Sequence, residues 1–226
     1  MMDFPISTAV NTPIYKKTFV EKSPMTPAME KAFASGVEKI IWRNKLSATT
    51  LPVQPGRRVV EVEVFEVALK SASVNNQLLH SIDKSLHYHV LFLLRHGERY
   101  MASMGYKGSP EQTVREYFAT AWMAYAELPL QIIGPTMDDV VDNFLRQIHQ
   151  GLNDYDGVPL DDAIQALAWQ KRQDKEIAKL QKLIRAEKQP KRKFELKQQI
   201  TTIQNSTGDI HGQAEHAYAQ RRGQEY

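Results

Sequence analysis

The 226-residue sequence contains no cysteine. That excludes structural disulfides, thiolate zinc sites, iron–sulfur clusters and a cysteine nucleophile. It also lacks the glycine patterns of phosphate-binding loops: neither Gly-x-x-x-x-Gly-Lys nor Gly-x-Gly-x-x-Gly occurs among its 11 glycines. The Gly-x-Ser-x-Gly elbow of serine hydrolases is missing too. Nucleotide hydrolases, dinucleotide-dependent dehydrogenases and serine hydrolases therefore have no support, and no cofactor is implied. No run approaches the roughly 18 apolar residues that a membrane-spanning helix needs. The first 30 residues hold two prolines before residue 15, at 5 and 13, and no long apolar block, unlike a signal peptide. A cytoplasmic protein is expected. With 42% apolar and 24% charged residues the chain can bury an ordinary core.

Net charge is low, at +3, but unevenly spread. Residues 161–226 carry 13 Lys and Arg against 9 Asp and Glu, and between Lys171 and Lys197 the balance is 11 against 4. Such asymmetry marks either a nucleic-acid or docking arm or a solvated helix surface.

Residues 1–155 mix strand and helix signals. Ile14–Phe19 reads as a short edge strand. Thr26-Pro27 opens a helix that stops at Gly36. Val37–Leu46 and Val59–Leu69 read as strands. In the second, Val60, Val62 and Val64 point one way and Glu61 and Glu63 the other, which suggests a solvent-facing edge for the two glutamates. Asn75–Leu86 suggests a helix. Tyr88–Arg95 and Tyr100–Tyr106 suggest a hairpin around His96-Gly97-Glu98, and Glu116–Tyr125 another strand. Thr136 caps a last helix with Asp138 and Asp139 in its first turn. The sum is an α+β domain with a mostly antiparallel, five- to six-stranded sheet and about three helices.

Residues 156–205 differ. Glycine is absent between Leu160 and Asn205. Ile177, Leu180 and Ile184, then Leu196, Ile200 and Ile203, recur at three- and four-residue steps on either side of Pro190. A helical hairpin or coiled-coil arm is expected, its narrow apolar stripe needing a partner surface. Residues 206–226 read as a disordered tail.

His87 and His89 share a strand face, but no third ligand follows at a metal-binding spacing, so no metal site is assigned. Basic residues beside aromatics suit nucleic-acid contact: Lys16, Lys17, Arg43, Lys45, Arg95 with Arg99, and Lys107. Lys191, Arg192 and Lys193 add a cationic step to the arm. A restriction-type nuclease core would want an acidic residue followed by Glu-x-Lys on the next strand, gathered about a divalent metal. The sole Glu-x-Lys is Glu195-Leu196-Lys197, in the arm.

Several stretches together resemble the bacterial family called domain of unknown function 4391. They are Ile14-Tyr15-Lys16-Lys17, Ile41-Trp42-Arg43-Asn44-Lys45-Leu46-Ser47, Val62-Glu63-Val64-Phe65-Glu66, Ile82-Asp83 leading to Tyr88-His89-Val90-Leu91-Phe92, and the late Leu180, Glu187-Lys188-Gln189, Lys193, Glu195-Leu196 arm. The resemblance spans roughly residues 5–205. It implies genes near helicases and DNA methyltransferases in restriction-like or phage-defence clusters, hence a helicase or methyltransferase partner; it implies no catalytic residue.

Two functions of different class follow. The favoured one is a non-catalytic accessory subunit whose arm assembles with a partner through Ile177, Leu180, Ile184, Leu196, Ile200 and Ile203. The alternative is a divalent-metal nuclease built on Glu61, Glu63, Glu66, Asp83 and Lys107. Glu63 or Glu66 beside Lys107 would favour it; glutamates splayed in solvent would exclude it. A weaker third is self-association through the arm.

Overall fold

The computed structural model describes residues 4–22, 25–108, 114 and 116–205. The expected tail, 206–226, lies outside them. The chain divides into two compact units, Met1–Gln150 and Gly151–Tyr226.

The first unit is α+β with a mostly antiparallel sheet. Its strands are β1 (Ala9–Ile14), β2 (Val37–Ser47), β3 (Glu61–Leu69), β4 (His89–His96), β5 (Arg99–Tyr106), β6 (Glu116–Ala119) and β7 (Met123–Ala124). They lie in the order β1-β2-β3-β4-β5-β6, with β7 also on β5. Every pairing is antiparallel except β3 with β4, which are parallel. A parallel pair needs a crossover, supplied by α3 (Asn76–Lys84), whose N-cap Asn75 accepts the Gln77 N–H at 2.9 Å.

The described part of this unit holds four α-helices rather than about three. The extra one is α1 (Lys16–Lys22), where a strand was expected. β1 ends at Ile14, and the helical turn that follows drives Phe19 into the core, edge-on to Phe33 and Phe65 at 6.3 and 6.2 Å. α2 (Pro27–Gly36) starts at the Thr26 hydroxyl, which accepts the Met29 N–H at 3.3 Å. The expected Glu116–Tyr125 strand is broken. The Thr120 hydroxyl accepts the Ala102 N–H at 3.1 Å, taking a ladder position, and only Met123–Ala124 pairs again.

Phe65, Val67 and Leu69 of β3 pack with Val90, Phe92 and Leu94 of β4 beneath Leu78, Leu79 and Ile82 of α3 and Phe33 of α2. α4 (Met137–Ile148) packs on β5 and β6. It covers the opposite face, because Phe118, paired with Met104 there, meets His149 at the helix end at 5.2 Å. Thr136 and Asp139 cap α4 reciprocally, by Asp139 N–H to Thr136 at 3.3 Å and Thr136 N–H to Asp139 at 3.1 Å.

Asp138 works across the fold rather than along its helix. Its carboxylate accepts the backbone N–H groups of Arg57, Arg58 and Val59 at 2.9, 3.0 and 2.7 Å. That clip fixes the turn that feeds β3. A Cβ at Gly56 would stand 2.2 Å from the same carboxylate, so only glycine fits.

In the second unit, α5 (Leu160–Ala186) ends at a break over 187–189, and Pro190 opens α6 (190–205). Proline suits a first helical turn, where its missing N–H costs nothing. Glu187 accepts the Lys188 and Gln189 N–H groups at 2.8 and 2.9 Å. Glu176 and Leu180 of α5 line one cavity with Glu195, Gln198, Gln199, Thr202 and Ile203 of α6, so the two helices run back along each other.

Asp138→Ala should destabilise the first unit by about 2 kcal/mol, since three N–H donors lose a charged acceptor. Urea unfolding reads this directly; a change under about 0.5 kcal/mol would show that the clip does not hold the turn.

Candidate functional site

All nine residues of β3 are buried. The expected solvent-facing edge at Glu61 and Glu63 is therefore corrected: they are 7% and 6% exposed, and Glu66 is 6% exposed. The alternation of valine and glutamate therefore runs along a strand buried on both faces, with β2 and β4 at its edges. Three buried carboxyl groups on one central strand each need a cation, a proton or a hydrogen-bond donor.

The cations come from neighbouring strands, and a β-bulge sets their phase. Trp42 pairs with Phe65 and Asn44 with Val64, so Arg43 is an inserted residue. A bulge re-aims side chains and shifts the register beyond it. Here it puts Arg43 against Glu66 and brings Lys45, rather than Asn44, opposite Glu63.

Glu66 uses both oxygens: Oε2 meets Arg43 at 2.5 Å and Oε1 meets Arg95 of β4 at 3.2 Å. Directly across from Arg95 is Tyr100 of β5. Its ring meets Tyr125 edge-on at 5.0 Å. Burial, then the Glu66 charge, holds the Tyr100 hydroxyl above the usual phenol range.

On the other side of β3, Lys45 bonds Glu61 at 2.5 Å. That bond raises the Lys45 ammonium above its ordinary value. Glu63 is left without a cation of its own. Burial, followed by the adjoining Glu61 carboxyl, pushes it up to about 8. Its Oε2 has no hydrogen-bond partner. At neutral pH Glu63 therefore holds a proton beside the Glu61–Lys45 pair.

Asp83 of α3 forms a third set. It pairs with Lys107 and accepts the Tyr117 hydroxyl at 3.0 Å. Burial pushes Asp83 upward against the pull of Lys107 and Tyr117. Lys107 also donates to the Tyr88 carbonyl at 2.9 Å. His89 begins β4 and is buried; desolvation, with Lys107 nearby, lowers it to about 4, so it is neutral at pH 7. His87 is exposed.

The five residues of the nuclease alternative thus fall into three contact sets: Glu66 with arginines, Glu61 and Glu63 with Lys45, Asp83 with Lys107. No contact joins Glu63 or Glu66 to Lys107 among the described residues. Nor does any group of three or more His, Asp or Glu among them stand where it could hold a metal ion.

Of the expected nucleic-acid contacts, Arg43 and Lys45 are committed to glutamates. Lys16 donates to the Val37 carbonyl at 2.8 Å, tying α1 to the start of β2. Lys17 is exposed and pairs with Glu21 at 3.4 Å. Lys191 and Arg192 are exposed on α6, and Lys193 is half-buried. In the arm, Leu180 is buried, whereas Ile177, Ile184, Leu196, Ile200 and Ile203 are half-buried. The sequence reading passed over Leu183 and Phe194, which are 47% and 61% exposed. Their position outside the counted stripe was the available signal. It also passed over Tyr117 as the donor to Asp83; no spacing rule links residues 34 apart.

The family model described as domain of unknown function 4391 matches residues 2–206. No curated protein matches the chain, and no solved structure does.

Glu63→Gln tests the carboxyl's state. A carboxyl raised in the fold favours folding at low pH, and that advantage fades as pH rises from about 4.5 toward 8. Urea unfolding between pH 5 and 9 should show the variant as stable as wild type at the acid end. At the alkaline end it should be more stable by roughly 1–3 kcal/mol. Parallel curves at every pH would contradict it.

Proposed function

We propose, for a chain that belongs to the domain of unknown function 4391 family, the role of a non-catalytic accessory subunit in a bacterial DNA-processing complex of the restriction-like or phage-defence kind. Its helical arm docks a helicase or DNA methyltransferase in the cytoplasm. The observation that carries this reading is the tip of the arm. Leu183 and Phe194, on either side of the 187–189 break, are exposed while most apolar side chains among the described residues are covered. Lys182, Arg185, Lys188, Lys191 and Arg192 are exposed around them. Apolar anchors in a cationic rim suit a partner groove with an acidic border. The partner class comes from the family resemblance.

A nuclease is the second reading. It draws on Glu63 alone: a buried carboxyl with one unpartnered oxygen, protonated near neutral pH, is the type of group that serves proton transfer. A magnesium- or manganese-dependent cleavage lost in Glu63→Gln would replace the accessory reading with this one.

Leu183→Asp with Phe194→Asp should release the partner and leave the chain folded, because both side chains already stand about half in water. Leu180→Asp is the wrong probe, since Leu180 is buried. Tagged protein from the native host should carry a stoichiometric helicase or methyltransferase that the double variant loses. A wild-type chain that elutes alone, or a variant that keeps its partner, would reject docking through the arm.

A further inference from the structure

The sequence left open whether any of its basic and aromatic residues meet in space. One group does. Arg43 on β2, Glu66 on β3, Arg95 on β4 and Tyr100 on β5 form a row across four adjacent strands, extended by Tyr125. We infer that this row binds single-stranded nucleic acid, with phosphates on the two guanidinium groups and a base against the Tyr100–Tyr125 pair.

Three observations carry it. First, the charges do not balance: two guanidinium groups share one carboxylate, leaving an excess positive charge. A pair built only for stability needs one cation per buried carboxylate. Second, the guanidinium groups are held but not consumed. Their side chains are 32% and 31% exposed, while Glu66 beneath them is 7% exposed. Each guanidinium has five N–H donors, and Glu66 takes one from each. Arg95 spends one further on the Gly97 carbonyl at 3.4 Å. A buried anchor that fixes two half-exposed guanidinium groups pre-organises them for a phosphate's paired oxygens. Third, the bulge at Arg43 aims that side chain here, and the partly exposed Tyr100 stands directly across from Arg95, with the Tyr125 ring against it. Cations that follow a backbone beside stacking rings are the recipe for single-strand contact. A duplex offers no unstacked base to the tyrosines.

The inference deepens the accessory-subunit reading by giving it a nucleic-acid contact, but it rests on the sheet and not on the arm. Leu183→Asp/Phe194→Asp protein should therefore bind oligonucleotide like wild type.

Fluorescence anisotropy with labelled oligothymidine and oligouridine tests it. Wild type should bind at about 50 mM salt and weaken steeply as salt rises. Arg43→Gln/Glu66→Gln/Arg95→Gln removes both cations together with their carboxylate, so no charge is left buried and unpaired. Its log–log salt slope should be shallower by about 0.7, for the one net positive charge removed, at roughly 0.7 per phosphate contact on a single strand. Tyr125→Ala leaves the ion row in place and should weaken binding by about five- to 150-fold, the range for one stacked base. Preference for oligothymidine or oligouridine identifies DNA or RNA, and either supports the site. Three results would overturn it: no wild-type binding to either probe at low salt; unchanged affinity in a folded triple variant or in Tyr125→Ala; or loss confined to charge reversal of Lys191, Arg192 and Lys193, which would place the contact on α6.

Discussion

Three glutamates on one fully buried strand set the terms for the rest of the sheet. A carboxylate out of water is costly unless a cation or donors meet it, and β3 carries Glu61, Glu63 and Glu66 within six positions. The neighbouring strands meet that need. β2 supplies Arg43 and Lys45, β4 supplies Arg95, and the bulge in β2 lets cations from one strand reach both faces of β3. The Asp138 clip fixes where β3 begins, and so which register those cations meet. A straight β2 would place Asn44 opposite Glu63.

The three carboxyl groups differ in the cations that reach them. Glu66 has two cations. Glu61 has one. Glu63 has none of its own and keeps a proton instead. Surplus positive charge and a titratable carboxyl therefore sit on opposite faces of the same strand. The first supports nucleic-acid contact; the second is the source of the remaining enzymatic reading.

Local signals were legible in the sequence. Thr26-Pro27 and Thr136 mark helix starts that the structure contains, and His96-Gly97-Glu98 marks the β4–β5 turn, with Gly97 at φ 58°. An α+β chain with a mostly antiparallel sheet was legible for the same reason. Tertiary facts were not. The Val-Glu alternation of β3 gives period two but not exposure, since a covered strand and a half-covered one share that period. The Arg43 bulge has no composition signal, because any residue can be the extra one. α1 is seven residues long, too short for periodicity to distinguish it from a strand, and was decided by where Phe19 packs. In the arm, counting an apolar stripe singled out Leu180, which is buried, and passed over Leu183 and Phe194, which are exposed.

Carboxyl-carbon NMR of glutamate-labelled protein reads the unequal supply of cations to these glutamates most directly. One resonance should titrate near pH 8, well apart from the ordinary carboxylate range, and should vanish in Glu63→Gln. If every glutamate carboxyl of the folded chain instead titrates below about pH 6, beyond the usual spread of folded-protein values, then Glu63 is not the uncompensated group and the division of charge along β3 is wrong.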